Sequence, residues 1–424
     1  MTAPSLPAPS SAPPRGWNSW DCFGGSVTEQ EVLDNAEHMA RHLLPQGWDT
    51  VVVDIQWYEP EPGSSDYAEV SAAVVDAHGR PLPAPGRFPS ASGGAGFAPL
   101  AARVHALGLR FGVHLMRGIP RRAVELDTPV LGADATARDL ADPGNRCPWN
   151  PDFEGVRTDH PAAQAWYDSV FALLAQWGVD YVKVDDVLYP PIQRADIAMM
   201  RTAIDRSGRP MLLSLSPGKE LSTVHAPFLA RSADAWRVSD DLWDTWADLR
   251  EQFQRAARWA AVDHEGGFAD LDMLPLGRIG IRAHVGEDRL SRLTPAEQRT
   301  MLTLWNLGRS PLMMGGHLPD TPEDTLAVLT NAAILEIGDA GEDAREIVRD
   351  RDLIIWRARV GEREVRALFW LGEQPHTHRV HAEDLDVPAD AAGTELWTGA
   401  KAEAEDGWFT VDLAPHGVAV LSLA

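Results

Sequence analysis

Cysteine is nearly absent from this chain: Cys22 and Cys147 are the only two in 424 residues. Two thiols cannot build the multi-bridge framework on which small secreted domains rely, and a reduced, buried pair is the expectation. Neither a Cys-x-x-Cys nor a His-Glu-x-x-His spacing occurs, so no metal site is signalled. Long apolar runs are missing as well. With no stretch of eighteen apolar residues, no membrane span is expected. The N-terminal MTAPSLPAPSSAPP lacks the basic and apolar regions of a secretory signal, which points to a cytoplasmic location. Its Pro, Ala and Ser content predicts a disordered leader over residues 1–14. Basic residues are in deficit: 38 Lys and Arg face 62 Asp and Glu, a formal charge of −24. Nucleic acids and anionic membrane surfaces need basic patches, so neither is expected as a partner. A neutral or cationic small molecule fits this charge better, and a homo-oligomer is compatible with it.

Tryptophan is present in excess, at sixteen residues. Its flat apolar face suits the C–H face of a sugar ring, although core packing is the plain alternative for most of them. The chain is 44% hydrophobic, enough for a large core. Strand-like and helix-like stretches alternate after the leader. GWNSW (Gly16 to Trp20) reads as a first strand. Thr28, with Glu31 three positions on, makes a capping box that opens a helix to about Leu44. TVVVDIQW (Thr50 to Trp57) is β-branched and continuous, as a strand buried on both faces should be. LRFGVHLM, VDYVKVDD, PMLLSLSPG, Trp236-Arg-Val-Ser, DLDMLPLG and SPLMMGG continue the series. Helices lie between them, among them Asp244 to Trp259 and one capped by Thr294.

Eight strand–helix units over roughly 310 residues favour an α/β fold, a closed (β/α)8 TIM barrel spanning residues 15–335. No Gly-x-Gly-x-x-Gly follows the first strand, which speaks against a dinucleotide fold. After about Gly338 short alternating strands with Gly and Asp turns take over. They predict a C-terminal antiparallel β-sandwich over residues 336–424.

Asp54, His114, Asp185, Ser216, Asp241 and Asp272 fall where the strands end, the face on which barrel enzymes keep their chemistry. Two segments stand out, YVKVDD (Tyr181 to Asp186) and WRVSDDLWDTW (Trp236 to Trp246). Each puts carboxylates directly after a strand, where buried charge must be paired or used. A pair of acids facing one site is the minimal equipment for cleaving a glycosidic bond. Lys183 lies two residues before Asp185, so both side chains point one way and the ammonium keeps the carboxylate ionised, as a nucleophile requires. A buried ion pair without catalytic use is the competing reading. Asp186 points to the other face, a structural position. Asp240, Asp241 and Asp244 cannot all ionise cheaply at close range, so one of them can hold a proton as general acid. Asp244 reads instead as a helix N-terminal residue, favoured there by the dipole.

In these motifs the chain resembles glycoside hydrolase family 27, whose best-known members are retaining α-galactosidases. GWNSW, VVVDIQW, YVKVDD, WRVSDDLWDTW, DLDMLPLG and LWNLGRSPLMMGG are similar to the family's segments and run in the same order. The family also has a C-terminal β domain. The resemblance implies Asp185 as nucleophile and Asp241, four residues beyond Arg237, as acid/base. It implies Lys183 and Arg237 as sugar-binding partners, Asp54 as the carboxylate that holds an axial hydroxyl, Trp20 as a stacking aromatic and Asp272 as a residue near the site. It further implies double displacement through a covalent glycosyl-enzyme, terminal α-D-galactoside-like residues on a small-molecule or oligosaccharide substrate, and no cofactor.

The pattern also departs from the family. Where α-galactosidases end the second strand in two adjacent Asp residues, this chain has Asp54 followed by Ile55. An apolar side chain cannot accept from a sugar's CH₂OH, and burying that hydroxyl unpaired costs about 1–3 kcal/mol. The sugar therefore lacks the group, as β-L-arabinopyranose does, or binds it elsewhere, for example through Gln56. His114 stands where the family commonly has Tyr, either as a sugar ligand or as a hydrogen-bonded barrel residue. LSLSPG replaces the segment that reads the 2-substituent, so Ser216 and Pro217 reshape that subsite. The basic loop RGIPRR brings Arg117 within reach of the site. The substrate alternatives are thus a β-L-arabinopyranoside or an isomaltodextranase-like oligosaccharide. Two rival classes are a carbohydrate-binding protein without catalysis, and a metal-dependent barrel hydrolase using His114, Asp185 and Asp241. Within residues 15–335 the second lacks the His-x-His strand signal such sites usually show.

Overall fold

A computed structural model of the chain describes residues 12–63, 67–219, 221–262 and 266–424. The expected leader falls mostly on residues 1–11, outside the described residues. The first half of the architecture is a parallel sheet of eight strands: β1 (Arg15–Asn18), β2 (Thr50–Val53), β3 (Arg110–Met116), β4 (Tyr181–Asp185), β5 (Leu212–Leu215), β6 (Ala235–Arg237), β7 (Phe268–Asp270) and β8 (Leu312–Met314). They lie in the order β7-β6-β5-β4-β3-β2-β1-β8, and every neighbouring pair is parallel. The sheet curls until its ends meet. Leu274, just past β7, donates its N–H to the Met313 carbonyl at 2.7 Å, and Gly315 donates to the Leu274 carbonyl at 2.9 Å. This is the closed barrel expected from the eight-fold repeat.

Helices α1 (Glu29–His42), α2 (Ala98–Ala106), α3 (Ala163–Trp177), α4 (Arg194–Ser207), α5 (Ala226–Ser232), α6 (Trp246–Ala260) and α7 (Pro295–Leu307) carry the crossovers. Thr28 and Thr294 make full capping boxes with Glu31 and Glu297, so both helices start where the sequence places them. Helix α6 starts later than expected, with Thr245 as its N-cap. Asp244 is therefore not a dipole-stabilised helix residue. Its carboxylate is buried and takes Arg289 at 2.6 and 3.0 Å and the Arg292 N–H at 3.0 Å. Strand β2 is shorter than TVVVDIQW implied. It stops at Val53 because Ser19 Oγ takes the Asp54 N–H at 2.9 Å and the chain turns at Gln56 with φ 60°.

The antiparallel strands of the C-terminal domain begin at Gly341, and the expected boundary at residue 335 falls inside a helix, Ala332–Ala340. A six-stranded sheet combines β9 (Gly341–Asp350), β10 (Leu353–Val360), β11 (Arg363–Trp370), β13 (Ala392–Glu395), β14 (Lys401–Glu403) and β16 (Val418–Leu423); β12 (His376–His381) and β15 (Trp408–Leu413) form a separate pair. Side chains alternate between the two faces of β10. Leu353 and Ile355 join Val380, Phe409 and Val411 of the β12–β15 pair in one core. Ile354 and Trp356 face the other way, into the core shared with the barrel. That two-sided packing is the sandwich the alternating pattern predicts. Among the described residues, no helix is long and apolar enough to cross a membrane.

Candidate active site

The strand ends of the barrel open on a cavity of about 620 Å³. Asp54, Lys183, Asp185, Arg237 and Asp241 line it, with Trp20 at its wall. Strand register sets this arrangement. His114 pairs with Lys183 and Met116 with Asp185 between β3 and β4, which puts His114 two residues below the level of Asp185 on the same face. Lys183 and Asp185, two apart on β4, face the same way.

Three polar groups converge on Asp54. Lys183 Nζ lies 3.0 Å from Oδ2, Asn18 Nδ2 donates to the same oxygen at 2.7 Å, and the Ile55 N–H donates to Oδ1 at 2.8 Å. Burial would raise the Asp54 carboxyl, but Lys183 and then His114 outweigh it and hold it below its ordinary value. Asp185 is under the same influences. Burial raises it, while Lys183, His114 and Arg237 together hold it well below the usual carboxylate range. The buried Lys183 ammonium is raised in turn, because Asp54 and Asp185 outweigh the cost of its burial. One Asp185 oxygen, Oδ2, lies 2.8 Å from His114 Nε2, and the other, Oδ1, has no hydrogen-bond partner among the described residues.

On the opposite side Arg237, the last residue of β6, is 4% exposed and bonds both Asp241 and Asp272. Asp272 also accepts the Leu242 N–H at 2.6 Å, which fixes the segment that carries Asp241. Burial, only partly offset by Arg237, pushes the Asp272 carboxyl up. Asp241 has its side chain half exposed to the cavity, and its neighbour Asp240 turns to Tyr189 and to Lys219 at 3.8 Å. The two adjacent carboxylates are thus separated by their partners. Gln56, Asp186 and Asp272 all adopt left-handed backbone at φ 60°, 65° and 88°. Such positions at strand ends re-aim the chain, and Asp tolerates them better than most residues.

Several expected ligands lie elsewhere. His114 is fully buried under Asp185 and does not line the cavity, so its partner is the carboxylate and not a sugar. Gln56 is turned away by its left-handed backbone and donates Nε2 to Asp152 at 2.9 Å. Ser216 is 3% exposed and absent from the cavity wall, while its successor Pro217 is on it. Asp272 supports Arg237 without reaching the cavity. Arg117 is also buried, bonded to Asp186 and, at 2.9 Å, to the Asn145 carbonyl, so it stays out of the site. That pairing gives Asp186 its structural role. Cys22 and Cys147 are both free and buried. Among the described residues, no group of three or more His, Cys, Asp or Glu side chains is arranged to hold a metal ion.

The structure adds aromatic residues to which the motifs gave no role. Tyr67, Trp149, Tyr189, Trp243 and His284 line the cavity, each from a loop beyond a barrel strand. Trp20 stacks on His284 with ring centroids 5.5 Å apart, His284 stacks on Tyr67 at 6.3 Å, and Tyr67 meets Trp149 at 5.9 Å. The available signal was position: an aromatic residue in a long loop after a barrel strand. Most other tryptophans are core, including Trp17, Trp57, Trp236 and Trp305.

Residues 153–340 match the sequence model of a family described as "Alpha galactosidase A". An alpha-galactosidase of Oryza sativa is 25% identical over 416 residues, covering 95% of this chain and 82% of its own. The fold matches alpha-galactosidase I of Mortierella vinacea with a TM-score of 0.74 at 20% identity, covering 100% of this chain and 98% of that one. A GH27 β-L-arabinopyranosidase from Geobacillus stearothermophilus is far more similar, with 46% identity, a TM-score of 0.94, and coverage of 97% of this chain and 96% of that one. Likeness at that level along nearly the full length of both chains leaves one conclusion: this protein belongs to glycoside hydrolase family 27.

Proposed function

We propose that the chain is a retaining exo-glycosidase for terminal β-L-arabinopyranosides, with Asp185 as nucleophile and Asp241 as acid/base. The observation that carries the choice of sugar is Ile55 on the cavity wall beside Asp54. β-L-Arabinopyranose has the ring of α-D-galactopyranose without its CH₂OH. Asp54, held by Lys183 and Asn18, accepts from the axial hydroxyl, and Ile55 covers the carbon where galactose carries its extra group. The 46% identical relative is a β-L-arabinopyranosidase, which supports the same reading.

The reaction runs in two displacements. Asp185 attacks the anomeric carbon while Asp241 protonates the leaving oxygen, and the glycosidic bond breaks as the ester forms. Asp241 then takes a proton from water, whose oxygen attacks the same carbon and releases Asp185. Two inversions give net retention, and the two carboxyl groups are expected about 5–5.5 Å apart. Lys183 keeps Asp185 ionised for the first step, and Arg237 orients Asp241. Even at liquid water's share of about 30 Å³ per heavy atom, a ring of about ten atoms fills about 300 Å³. Roughly half of the 620 Å³ is therefore left for the leaving group, beside the rings of Tyr67, Trp149 and His284.

Nitrophenyl β-L-arabinopyranoside, α-D-galactoside, α-N-acetylgalactosaminide and α-D-glucoside test this reading. The arabinopyranoside should lead the galactoside in kcat/KM by about tenfold or more, since an unpaired hydroxyl costs about 1–3 kcal/mol. A preference for the galactoside overturns the choice of sugar. Inactivity on all four overturns the simple exo-glycosidase.

A further inference from the structure

We infer that Asp240 is a ligand for the leaving group: it accepts a hydrogen bond from a hydroxyl of the residue that Asp241 releases, so the group cleaved off is itself a sugar and not an apolar aglycone. The inference rests on the assignment of Asp241 above.

Placement carries the first part. Asp240 and Asp241 both line the cavity. Neighbouring side chains of an extended strand would point to opposite faces. Here β6 has ended at Arg237 and the chain bends at Ser239 and Asp240, so both carboxylates face one space. The bend is pinned on both sides. Val238 donates its N–H to the Asp270 carbonyl at 2.9 Å, the Ser239 carbonyl accepts the Gly218 N–H at 3.0 Å, and Leu242 donates to Asp272 at 2.6 Å. Glycine is needed at 218, because a Cβ there would lie 1.7 Å from the Arg237 carbonyl oxygen. The close approach locks the loop after β5 onto the loop that carries Asp240. Consecutive Cα atoms lie about 3.8 Å apart, so a leaving group whose oxygen meets Asp241 has its neighbouring atoms within reach of Asp240.

Pairing carries the second part. Of the carboxylates that line the cavity, Asp54 and Asp185 have the buried Lys183 beside them, and Asp241 has Arg237. Asp240 has no such buried cation. The ammonium paired with it, on Lys219, is itself half exposed and stands 3.8 Å from Oδ2, beyond hydrogen-bond reach. Tyr189, from the loop after β4, donates its O–H to Asp240 Oδ1 and fixes the side chain. Oδ2 keeps its lone pairs on a side chain that is 43% exposed. The rings of Tyr67, Trp149 and Trp243 line the same cavity. An apolar aglycone would suit those rings but would desolvate Asp240 without offering it a hydrogen, which is unfavourable. A pyranose satisfies both, with its C–H face on a ring and a hydroxyl on the carboxylate.

The test compares leaving groups that need the same protonation. For the wild type and Asp240→Ala, kcat/KM is measured on cyclohexyl β-L-arabinopyranoside and on the best-cleaved of the isomeric β-L-arabinopyranosyl-glucose disaccharides. The wild type should prefer the disaccharide, and Asp240→Ala should lower that preference about tenfold or more. Asp240→Asn, which keeps one carbonyl acceptor, should recover part of it. A wild type that prefers the cyclohexyl glycoside overturns the inference. An equal loss on both substrates does so too, because Asp240 would then act only through Asp241, and so does an unchanged preference in the Ala variant. Should that variant fail to fold, Tyr189→Phe takes its place: with the carboxylate freed, the preference should fall, and an unchanged preference overturns the inference. The same pair of leaving groups on α-D-galactose keeps the two readings apart. Faster hydrolysis of the galactosides brings down the choice of sugar, while the preference between leaving groups still judges Asp240.

Discussion

Asp54 and Ile55, adjacent on the cavity wall, carry the proposed choice of sugar. The first offers a buried, ionised acceptor, and the second offers only methyl groups. Replacing Ile55 by Asp should raise kcat/KM for α-D-galactoside relative to β-L-arabinopyranoside by about tenfold, the worth of one hydroxyl paired in a buried site. Parallel assays of the two nitrophenyl glycosides check it. Asp21 makes a different prediction. It is buried, its Oδ2 has no partner among the described residues, and burial, then Asp272 and Asp241, raise it well above the ordinary carboxylate value. A group raised in the folded state favours folding below its unfolded value near 3.9 and loses that contribution as pH climbs toward the folded value. Asp21→Asn cannot ionise in either state. It should match the wild type in thermal stability near pH 3 and exceed it at pH 7; an equal gap at both values would contradict this. At this scale the acids were legible in the sequence because a carboxylate at a strand end has few other uses. The partners of His114, Gln56, Arg117 and Asp244 were not legible. Each bonds a residue 45 to 96 positions away, and at Gln56 the approach also depends on a left-handed turn.

Helices with a chemical start signal were read nearly to the residue. Thr294→Ala should cost about 1 kcal/mol of stability through loss of the N-cap, seen as a lower thermal midpoint with unchanged kcat/KM. Strands were less legible. β9 is ten residues of GEDAREIVRD at the edge of its sheet. An edge strand needs no apolar alternation, and its charges discourage pairing with other chains. The loops were the least legible elements, yet they supply the aromatic wall. Trp149→Ala should raise KM about tenfold for a disaccharide substrate while leaving hydrolysis of β-L-arabinopyranosyl fluoride nearly unchanged, because a stacking ring is worth of order 1 kcal/mol to the group it covers. Equal losses on both substrates would place Trp149 against the scissile sugar instead.

The whole molecule joins a barrel to an antiparallel sandwich through one face of the six-stranded sheet and through His416. That ring stacks on Trp246 with centroids 3.9 Å apart, and its Nδ1 lies 2.6 Å from Glu297, while its carbonyl accepts Thr300 Oγ–H at 2.7 Å. His416→Ala should lower stability by about 1–2 kcal/mol without altering kcat, since the residue is not on the cavity wall. The eight-fold count and the order of the motifs made the architecture legible. The sandwich was legible from alternation alone, but the contacts between the two parts were not, since Glu297 and Thr300 meet His416 across 119 and 116 positions. The central claim is that this architecture delivers Asp185 to the anomeric carbon. A trinitrophenyl 2-deoxy-2,2-difluoro β-L-arabinopyranoside tests it most directly, because the fluorines slow release of the ester while the leaving group keeps its formation fast. Digestion and tandem mass spectrometry should find one sugar bound to Asp185 in the peptide that carries YVKVDD. A sugar on another residue, or inactivation without any adduct, would contradict the account.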